Sequence, residues 1–253
     1  MTFPSPASPV VPDAQRELLH NMGRAIADFN LISAGDRIMV AISGGKDSYA
    51  LLLLLDVLRR RAPIDFKLLA VHLDQGQPGH DPEPLRAWLV ENGFEHHVVR
   101  DDTYSIVMEA VPEGRTPCSM CARLRRAILY RLSDEFGCTK IALGHHRDDA
   151  VETLLLNLFF AGKLASMPAR LTSDDGAHQV IRPLIYCAEQ DLADFAAERH
   201  VPILPCNLCG SQPNAQRQQM KSLLSRLEIE HPNLRQTMLA ALGNVHLSHL
   251  LVK

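Results

Sequence analysis

The sequence has 253 residues, a formal net charge of −3 at pH 7, and 46% hydrophobic against 22% charged residues. These proportions are typical of globular chains, so they exclude a fibrous, coiled-coil or wholly disordered protein and predict one large domain, with or without a smaller appendage. The acidic total excludes a uniformly basic nucleic-acid binder, and the longest apolar run, residues 50–55, is too short to cross a membrane.

The N-terminal part of the sequence predicts a tail, a helix and a buried strand. Residues 1–15 are rich in Pro and Ser and lack the basic start and apolar run of a signal peptide, so we expect a disordered tail on a cytoplasmic protein. Apolar residues then recur every three or four positions from Ala14 to Phe29, which predicts a helix. The continuous apolar run over residues 38–42 is typical of a strand buried on both faces of a parallel sheet.

Strand and helix patterns alternate through the following hundred or so residues. Apolar runs predict further strands at residues 67–73, 95–99 and 140–143. The helical patterns between and around them cover residues 48–61, 84–91, 120–136 and 149–159. This alternation predicts an α/β fold with a doubly wound, mostly parallel sheet.

The alternation of strand and helix patterns becomes less regular after Gly162. A loop at residues 172–176 and a short strand at 179–181 precede three predicted helices at residues 188–198, 215–227 and 233–242. We therefore expect a disordered tail over 1–15, a catalytic domain over 16–162 and a helical C-terminal extension over 163–253.

Residues 43–48, which read Ser-Gly-Gly-Lys-Asp-Ser, lie between the predicted buried strand and a helix. They do not form a Walker A loop, because Asp47 stands where Ser or Thr would follow Gly-Lys. Two glycines, exposed backbone N–H groups, two hydroxyls and one ammonium instead suit a phosphate or pyrophosphate. The alternative is an ordinary strand-to-helix turn with Asp47 or Ser48 as the helix cap.

Two further polar blocks follow predicted strands. The first ends in Asp74, and the second, residues 143–149, reads Leu-Gly-His-His-Arg-Asp-Asp. Open α/β sheets bind ligands outside the carboxyl ends of their strands, which is where both blocks fall. The alternative for the histidines and aspartates of the second block is capping of the helix that follows.

The cysteines form two CxxC pairs that are far apart in the chain, Cys118 with Cys121 and Cys206 with Cys209. Each pair can hold a metal from one turn, so a structural zinc bound by four thiolates is one interpretation. A single pair could also be a redox dithiol. The two remaining cysteines, Cys138 and Cys187, lack ligand spacing and are expected to be small buried hydrophobic residues.

The loop at 43–48 resembles the PP-loop of the ATP pyrophosphatases, which cleave ATP between the α and β phosphates and adenylate a substrate. Four longer runs, residues 118–126, 144–149, 181–187 and 205–214, closely resemble the tRNA 2-thiocytidine synthetases in consistent order. The resemblance covers residues 18 to 249. It implies an enzyme that converts the cytidine at position 32 of the tRNA anticodon loop into 2-thiocytidine.

The resemblance also implies cofactors and partners. ATP with Mg²⁺ would adenylate C2 of the cytidine, and a 4Fe-4S cluster held by Cys118, Cys121 and Cys209 would serve sulfur transfer, with Cys206 left without a role as ligand. The sulfur would come from a cysteine desulfurase, and the protein would be a homodimer. Two alternatives stay open: a PP-loop ligase such as a lysidine synthetase with structural zinc, and a non-catalytic, zinc-stabilised RNA-binding module.

The resemblance further implies roles for individual residues. Catalytic roles fall to Lys46, Asp47, Asp148 and Arg125, and nucleotide binding falls to Ser43, Gly44, Gly45, Lys46, Asp47, Ser48, Asp74, Gly144 and His145. Arg125 and Arg126 could contact the phosphate of AMP or the tRNA backbone, or could simply lie on a solvated helix face.

The net charge is unevenly distributed along the chain. Residues 115–147 contain seven Lys or Arg against two Asp or Glu, and residues 210–253 contain five against two. These basic segments bear or follow the cysteine pairs. A local basic face there could bind tRNA phosphates despite the acidic total.

Overall fold

The computed structural model describes residues 13–110, 118–205 and 216–251, without the side chains of residues 13, 118 and 119. Six strands within these ranges form one sheet in the order β3-β2-β1-β4-β6-β5. The strands are β1 Arg37–Ala41, β2 Lys67–Asp74, β3 His96–Arg100, β4 Lys140–Ala142, β5 Arg170–Thr172 and β6 Gln179–Ile181. All neighbours are parallel except β5, which is antiparallel to β6. The predicted doubly wound, mostly parallel α/β sheet is confirmed.

The helices follow the predicted order with one addition. They are α1 Asp13–Asp28, α2 Lys46–Arg61, α3 Glu83–Glu91, α4 Thr103–Ala110, α5 Cys118–Glu135, α6 Arg147–Leu156, α7 Glu189–Glu198, α8 Gln216–Glu230 and α9 Leu234–Leu242. A π-helical turn, Asn157–Ala161, extends α6. Helix α1 begins at Asp13, so the last three residues of the predicted tail are helical, and residues 1–12 lie outside the described part of the chain.

Besides a 3-10 helical turn at Leu247–His249, two elements were not predicted from the sequence. Helix α4 has eight residues, of which only Thr103 and Val107 are buried, so it shows no apolar stripe long enough to indicate a helix. Strand β5 has three residues and no buried position, because it pairs with β6 at the edge of the sheet. Both elements are defined by their neighbours rather than by a local pattern.

The sheet has a hydrophobic core on each face, and this explains the unbroken apolar runs of its central strands. One core contains Ile38 and Val40 of β1 together with buried residues of α1, α2 and α7. The other contains Met39 of β1 together with Ile128 and Leu132 of α5. Alternate residues of one strand therefore face different helices.

The strand order creates a crevice at one edge of the sheet. Strand β1 lies between β2 and β4. The chain first adds β2 and β3 on one side of β1 and later adds β4 on its other side. Ligands bind at such switch points, outside the carboxyl ends of the strands. The loop at 43–48 and the polar block at 143–149 both lie there.

The segment after residue 162 joins this architecture. It supplies β5 and β6 to the sheet, and α8 and α9 pack against α6. The division into 16–162 and 163–253 stays a prediction. Within the described ranges, no helix combines the length and apolar character needed to cross a membrane.

Candidate active site

The loop at 43–48 is held in shape by its own serine hydroxyls. The Ser48 hydroxyl donates to the Gly45 carbonyl oxygen at 2.8 Å and accepts a hydrogen bond from the Ser43 amide at 3.2 Å. The Gly45 amide donates to the Ser43 hydroxyl at 3.3 Å. Helix α2 begins directly behind the loop, and its N-terminus offers N–H groups and the positive end of its dipole to an anion.

Gly44 is the position in this loop that requires glycine. Its φ is 83°, in the left-handed region that costs other residues free energy. Its carbonyl oxygen accepts a hydrogen bond from the Leu204 amide at 2.9 Å, and a Cβ added to it would lie 2.7 Å from Leu204 Cγ. The loop is therefore packed tightly against the segment that leads into the second cysteine pair.

We expect Gly44→Ala to weaken ATP binding about tenfold or more, because the loop must shift to relieve the contact with Leu204, and about 1.4 kcal/mol corresponds to that factor. Gly35→Ala is the matched control, since Gly35 also has a φ of 83° but nothing lies within 4 Å of its added Cβ. Both variants should lose stability, whereas only Gly44→Ala should lose affinity. Calorimetric ATP titration and urea unfolding measure the two effects, and equal ATP affinities would contradict the prediction.

A cavity of about 560 Å³ opens between this loop and the carboxyl ends of β2 and β4. This volume is within the usual range of small-molecule sites. Seven of the predicted site residues line it: Ser43, Gly45, Asp47, Ser48, Arg125, Gly144 and His145. A Cβ on Gly144 would lie 3.1 Å from the backbone carbonyl carbon of Asp47, so glycine allows the loop after β4 to approach α2 closely.

Four predicted site residues, Gly44, Lys46, Asp74 and Asp148, are outside the lining of this cavity. Gly44 contacts Leu204, which itself lines the cavity. One carboxylate oxygen of Asp74 accepts a hydrogen bond from the Gly76 amide at 2.9 Å and so stabilises the turn after β2. The predicted site roles of these four residues stay predictions.

Lys46 shares a carboxylate with a second lysine. Its Nζ lies 3.1 Å from Asp47 Oδ2 and 3.3 Å from Glu189 Oε1, while Lys221 Nζ of α8 lies 2.6 Å and 2.8 Å from the two oxygens of Glu189. Burial alone would lower the pKa of Lys46, but the charges of Asp47 and Glu189 raise it above the ordinary value. The ammonium therefore stays charged and close to the loop.

Glu189 was not predicted from the sequence. Burial would raise the pKa of its carboxyl group, but the hydrogen bonds from Lys221 and the charge of Lys46 lower it to about 2. Its only local signal is its place in the first turn of α7, where an acidic residue is common in any helix.

Asp148 acts as a buried junction between helices. One oxygen accepts a hydrogen bond from the Glu189 amide at 2.9 Å, and the other lies 3.2 Å from Arg235 Nη1 of α9. Arg235 also donates to Glu228 at 2.8 Å. In this arrangement Asp148 positions the start of α7, and with it the carboxylate that holds Lys46.

Two adjacent histidines have different surroundings. His146 caps helix α6: its Nδ1 accepts a hydrogen bond from the Asp149 amide at 3.4 Å, and its own amide donates to the Asp149 carboxylate at 3.1 Å. His145 lines the cavity instead, and its Nδ1 is buried without a hydrogen-bond partner in the described part of the chain. The capping alternative thus applies to His146, while His145 presents an unpaired ring nitrogen at the cavity.

Burial, followed by the charge of Arg182, lowers the pKa of His145 to about 4. Between pH 6.5 and about pH 4 the unfolded state therefore binds a proton that the folded state does not bind. The stability that the neutral, buried His145 contributes is present above pH 6.5 and is lost as the pH falls towards 4. We expect the free energy of unfolding of the wild type, relative to His145→Gln, to fall across this window. Urea denaturation at several pH values measures this difference.

The exposed His231 supplies the control for this pH series. His231→Gln should follow the pH dependence of the wild type. A constant difference between wild type and His145→Gln from pH 7 to pH 4.5 would contradict a buried neutral His145.

Gln75 is a second residue that sequence reasoning missed. Its side-chain oxygen accepts hydrogen bonds from Arg125 Nε at 3.1 Å and Nη2 at 2.6 Å, and its amide nitrogen donates to Thr103 at 2.8 Å. This contact holds the Arg125 guanidinium at the cavity. The available signal was its position directly after Asp74, at the carboxyl end of β2.

His72 and His80 form another part of the wall. His72 Nδ1 lies 2.8 Å from the Ile42 carbonyl oxygen, and its Nε2 lies 3.0 Å from His80 Nε2. Burial lowers the pKa of His72, which favours the neutral ring. A neutral His72 donates through Nδ1 and accepts from His80 through Nε2, so one tautomer of each ring satisfies the geometry.

Of the predicted cluster ligands, only Cys121 has a described side chain; the side chain of Cys118 and the whole of Cys206 and Cys209 lie outside the described residues. Cys121 is partly exposed. It precedes the cavity-lining Arg125 by four residues, one helical turn, so the two share a face of α5. Cys121 therefore lies one helical turn from a residue that lines the cavity.

The second cysteine pair follows a cavity-lining residue in the sequence. Pro205 lines the cavity, and Cys206 is the next residue. Cys209 is four residues beyond Pro205, a stretch that spans at most about 14 Å when extended. Among the described residues, no three His, Cys, Asp or Glu side chains are grouped to hold a metal ion.

The remaining cysteines differ in burial. Cys187 is fully buried in the core, as predicted. Cys138 is partly buried and packs against the core beneath α5. Burial raises the pKa of both thiols, so both are poor nucleophiles.

Comparison with known proteins identifies similar chains. The family model of the PP-loop domain matches residues 14–204. A tRNA-cytidine(32) 2-sulfurtransferase of Sorangium cellulosum is 60% identical over 236 residues, which are 93% of this chain and 83% of the relative. A protein of the same name from Yersinia pestis is 56% identical over 93% of this chain and 75% of its own length.

The fold is also found in a solved tRNA thiolase. The U34-tRNA thiolase NcsA from Methanococcus maripaludis, solved with its 4Fe-4S cluster, superimposes with a TM-score of 0.70. The match covers 94% of this chain and 78% of the thiolase at 23% sequence identity. At this identity the likeness concerns the fold alone.

Proposed function

The chain belongs to the PP-loop domain family and, within it, to the tRNA-cytidine(32) 2-sulfurtransferases, and from this membership we propose that it uses ATP to replace the C2 oxygen of cytidine 32 in tRNA with sulfur. The supporting observation is one cavity that is lined by the loop at 43–48, by Arg125, which lies one turn after Cys121, and by Pro205, which precedes Cys206 in the sequence. Because relatives with 56–60% sequence identity are tRNA-cytidine(32) 2-sulfurtransferases, a zinc-bearing ligase and a non-catalytic RNA-binding module are not favoured.

The cavity suits an adenylation step. The C2 oxygen of the cytidine attacks the α-phosphorus of ATP, the bond to the bridging oxygen of the β-phosphate breaks, and pyrophosphate leaves. Backbone N–H groups of the loop and the Lys46 ammonium stabilise the developing negative charge. Lys46 reaches the phosphates by exchanging its contact with Glu189 for one with ATP, and Glu189 then keeps Lys221 as its partner.

Asp47 fits a magnesium ion. Its Oδ1 is buried without a hydrogen-bond partner among the described residues, while Oδ2 contacts Lys46. Mg²⁺ is commonly bound by one or two carboxylates together with substrate phosphates, so a single aspartate beside the loop is a sufficient protein contribution.

The second step replaces AMP with sulfur. A sulfur nucleophile attacks C2, the bond from C2 to the former carbonyl oxygen breaks, and AMP leaves with that oxygen. Arg125, held by Gln75, stays beside the leaving phosphate. A cluster bound by Cys118, Cys121 and Cys209 would supply an iron at which the sulfur can be held next to the base. Thiolates are the usual ligands of such clusters.

The same membership supports three further parts of the proposal. The sulfur comes from cysteine through a cysteine desulfurase, the protein is a homodimer, and it works in the cytoplasm, where its tRNA substrate is found. Radiolabelled cysteine with a desulfurase and a sedimentation experiment test the first two.

One experiment tests the function. The protein is purified without oxygen, its iron, sulfide and zinc are measured, and it is incubated with ATP, Mg²⁺, a sulfide source and tRNA that lacks 2-thiocytidine. We expect about four irons per chain, as the proposed cluster requires, and ATP-dependent formation of 2-thiocytidine at position 32, detected by mass spectrometry. A zinc-loaded protein without thiolation activity would overturn the proposal.

A further inference from the structure

Arg182 is a buried cation that forms no ion pair with a described carboxylate, although the charge of Asp149 partly offsets the lowering of its pKa at longer range. Arg182 is 8% exposed, and its Nη1 donates a hydrogen bond to the Pro168 carbonyl oxygen at 2.7 Å. Its Nε is buried with no hydrogen-bond partner, and no carboxylate in the described part of the chain forms an ion pair with it. Burying a guanidinium in this way is costly unless an anion compensates it.

The strand register directs Arg182 towards α5. It follows Ile181 at the carboxyl end of β6, which pairs with β4. Val180 belongs to the core beneath α5, and Ile181 belongs to the core on the opposite face. Since successive side chains of a strand alternate between faces, Arg182 lies on the α5 face, as Val180 does.

Arg126 of α5 borders the same strand end. Tyr130, one turn further along α5, stacks on His178 next to the start of β6 at a centroid distance of 4.5 Å. Helix α5 runs back from the carboxyl edge of the sheet, so Arg126 lies one turn nearer that edge and Arg182. Burial and then the charge of Arg126 lower the pKa of Arg182, which places the two cations within electrostatic reach. Arg126 is exposed and has no ion pair with any described residue.

This pair is separate from the loop at 43–48. The loop leads into α2, whose core lies on the other face of the sheet. His145 lines the cavity and is affected by the charge of Arg182, whereas neither Arg126 nor Arg182 lines the cavity. The two arginines therefore stand beside the cavity, on the side away from the proposed triphosphate.

We propose that Arg126 and Arg182 form a phosphate subsite that holds one backbone phosphodiester of the tRNA beside the nucleotide whose base enters the cavity. The inference rests on the proposed function. It assigns different ligands to two adjacent residues: Arg125 contacts the nucleotide in the cavity, and Arg126 contacts the RNA backbone. Guanidinium groups suit this ligand because they bind phosphate oxygens with two N–H groups at once. A loop nucleotide that is unstacked for recognition keeps its phosphates outside the base pocket.

The test measures tRNA affinity over a series of salt concentrations for wild type and Arg126→Ala. Loss of one phosphate contact to a single-stranded loop should reduce the slope of log K against log salt by about 0.7. We expect tRNA affinity to fall about fivefold to tenfold at low salt, while the KM for ATP in pyrophosphate release stays within about twofold. Arg131→Ala is the matched control, since Arg131 is exposed on the same helix but paired with Asp101 at 2.9 Å.

Arg182→Gln and the double variant examine whether both arginines hold the same phosphate. The double variant should lose about one contact in the salt slope, not two. If Arg182→Gln does not fold, the salt dependence of tRNA binding by Arg126→Ala alone tests the proposed subsite.

An unchanged slope in Arg126→Ala, or a raised KM for ATP with unchanged tRNA affinity, would overturn the inference; the second result would assign the pair to a nucleotide phosphate. A wild type that binds tRNA through Arg126 but does not thiolate it would support the subsite and contradict only the proposed function.

Discussion

Cys121→Ser is expected to reduce formation of 2-thiocytidine by more than about 100-fold, the loss that even an outer-shell partner of a bound metal can cause. The proposed ligand lies one helical turn from Arg125 at the cavity, so its removal should affect sulfur transfer directly. Adenylation should survive, because the loop at 43–48 and Lys46 do not depend on this thiol. Cys121 is only partly buried, and serine leaves no large cavity, so the fold should be retained.

Two readouts from the same variant test this prediction. Mass spectrometry of digested tRNA measures 2-thiocytidine, and release of pyrophosphate in the presence of tRNA measures adenylation. Cys138→Ser is the matched control, because Cys138 is also partly buried but lies outside both cysteine pairs. Thiolation by Cys121→Ser at the level of the control would remove this cysteine from the proposed site.

Lys46→Ala is expected to lower kcat/KM for ATP about 100-fold to 1000-fold, the usual cost of removing one donor that stabilises transition-state charge. The ammonium is charged at neutral pH because Asp47 and Glu189 raise its pKa. It is the basic side chain of the loop itself, and it starts helix α2. The loss should appear mainly in kcat, since charge accumulates as the bond to pyrophosphate breaks.

Lys221→Ala distinguishes a direct role of Lys46 from a role in the salt bridge alone. Lys221 contacts the same carboxylate of Glu189 at 2.6 Å, but it is the more exposed of the two lysines. A partly exposed ion pair contributes about 1 kcal/mol or less, so we expect at most about a fivefold effect. Steady-state pyrophosphate release measures both variants, and equal losses in the two would mean that Lys46 acts only through Glu189.

The order of the central elements could be predicted because their signals are local. Residues 38–42 are apolar without interruption because both faces of β1 are covered, and α2 begins directly after the two glycines of the loop that follows the strand. The edge strand β5 gave no such signal, since none of its three residues is buried. Hydrophobic patterns in the sequence indicate elements that contribute to a core. They do not indicate strands that only pair at the edge of the sheet.

The candidate site was predicted as a set of segments more accurately than as a set of side chains. Seven predicted residues line the cavity, but Asp148 ties α7 and α9 to α6 from outside it. Of the two adjacent histidines, His146 caps a helix and His145 lines the cavity. The side chains of neighbouring residues in a loop point in different directions, and a sequence motif does not specify which side chain faces the cavity.

The sequence by itself determined the strand–loop–helix unit with its anion-binding glycines, the two cysteine pairs and the family to which these motifs belong. Each depends on residues within a few positions of one another. Only the tertiary structure decided that Glu189 holds Lys46 across a separation of 143 residues and that Gln75 directs Arg125 into the cavity. It also decided that Arg182 is buried without an ion pair to any carboxylate in the described ranges. These facts depend on which strands pair and which face each side chain takes, and that is settled by packing between segments far apart in the chain.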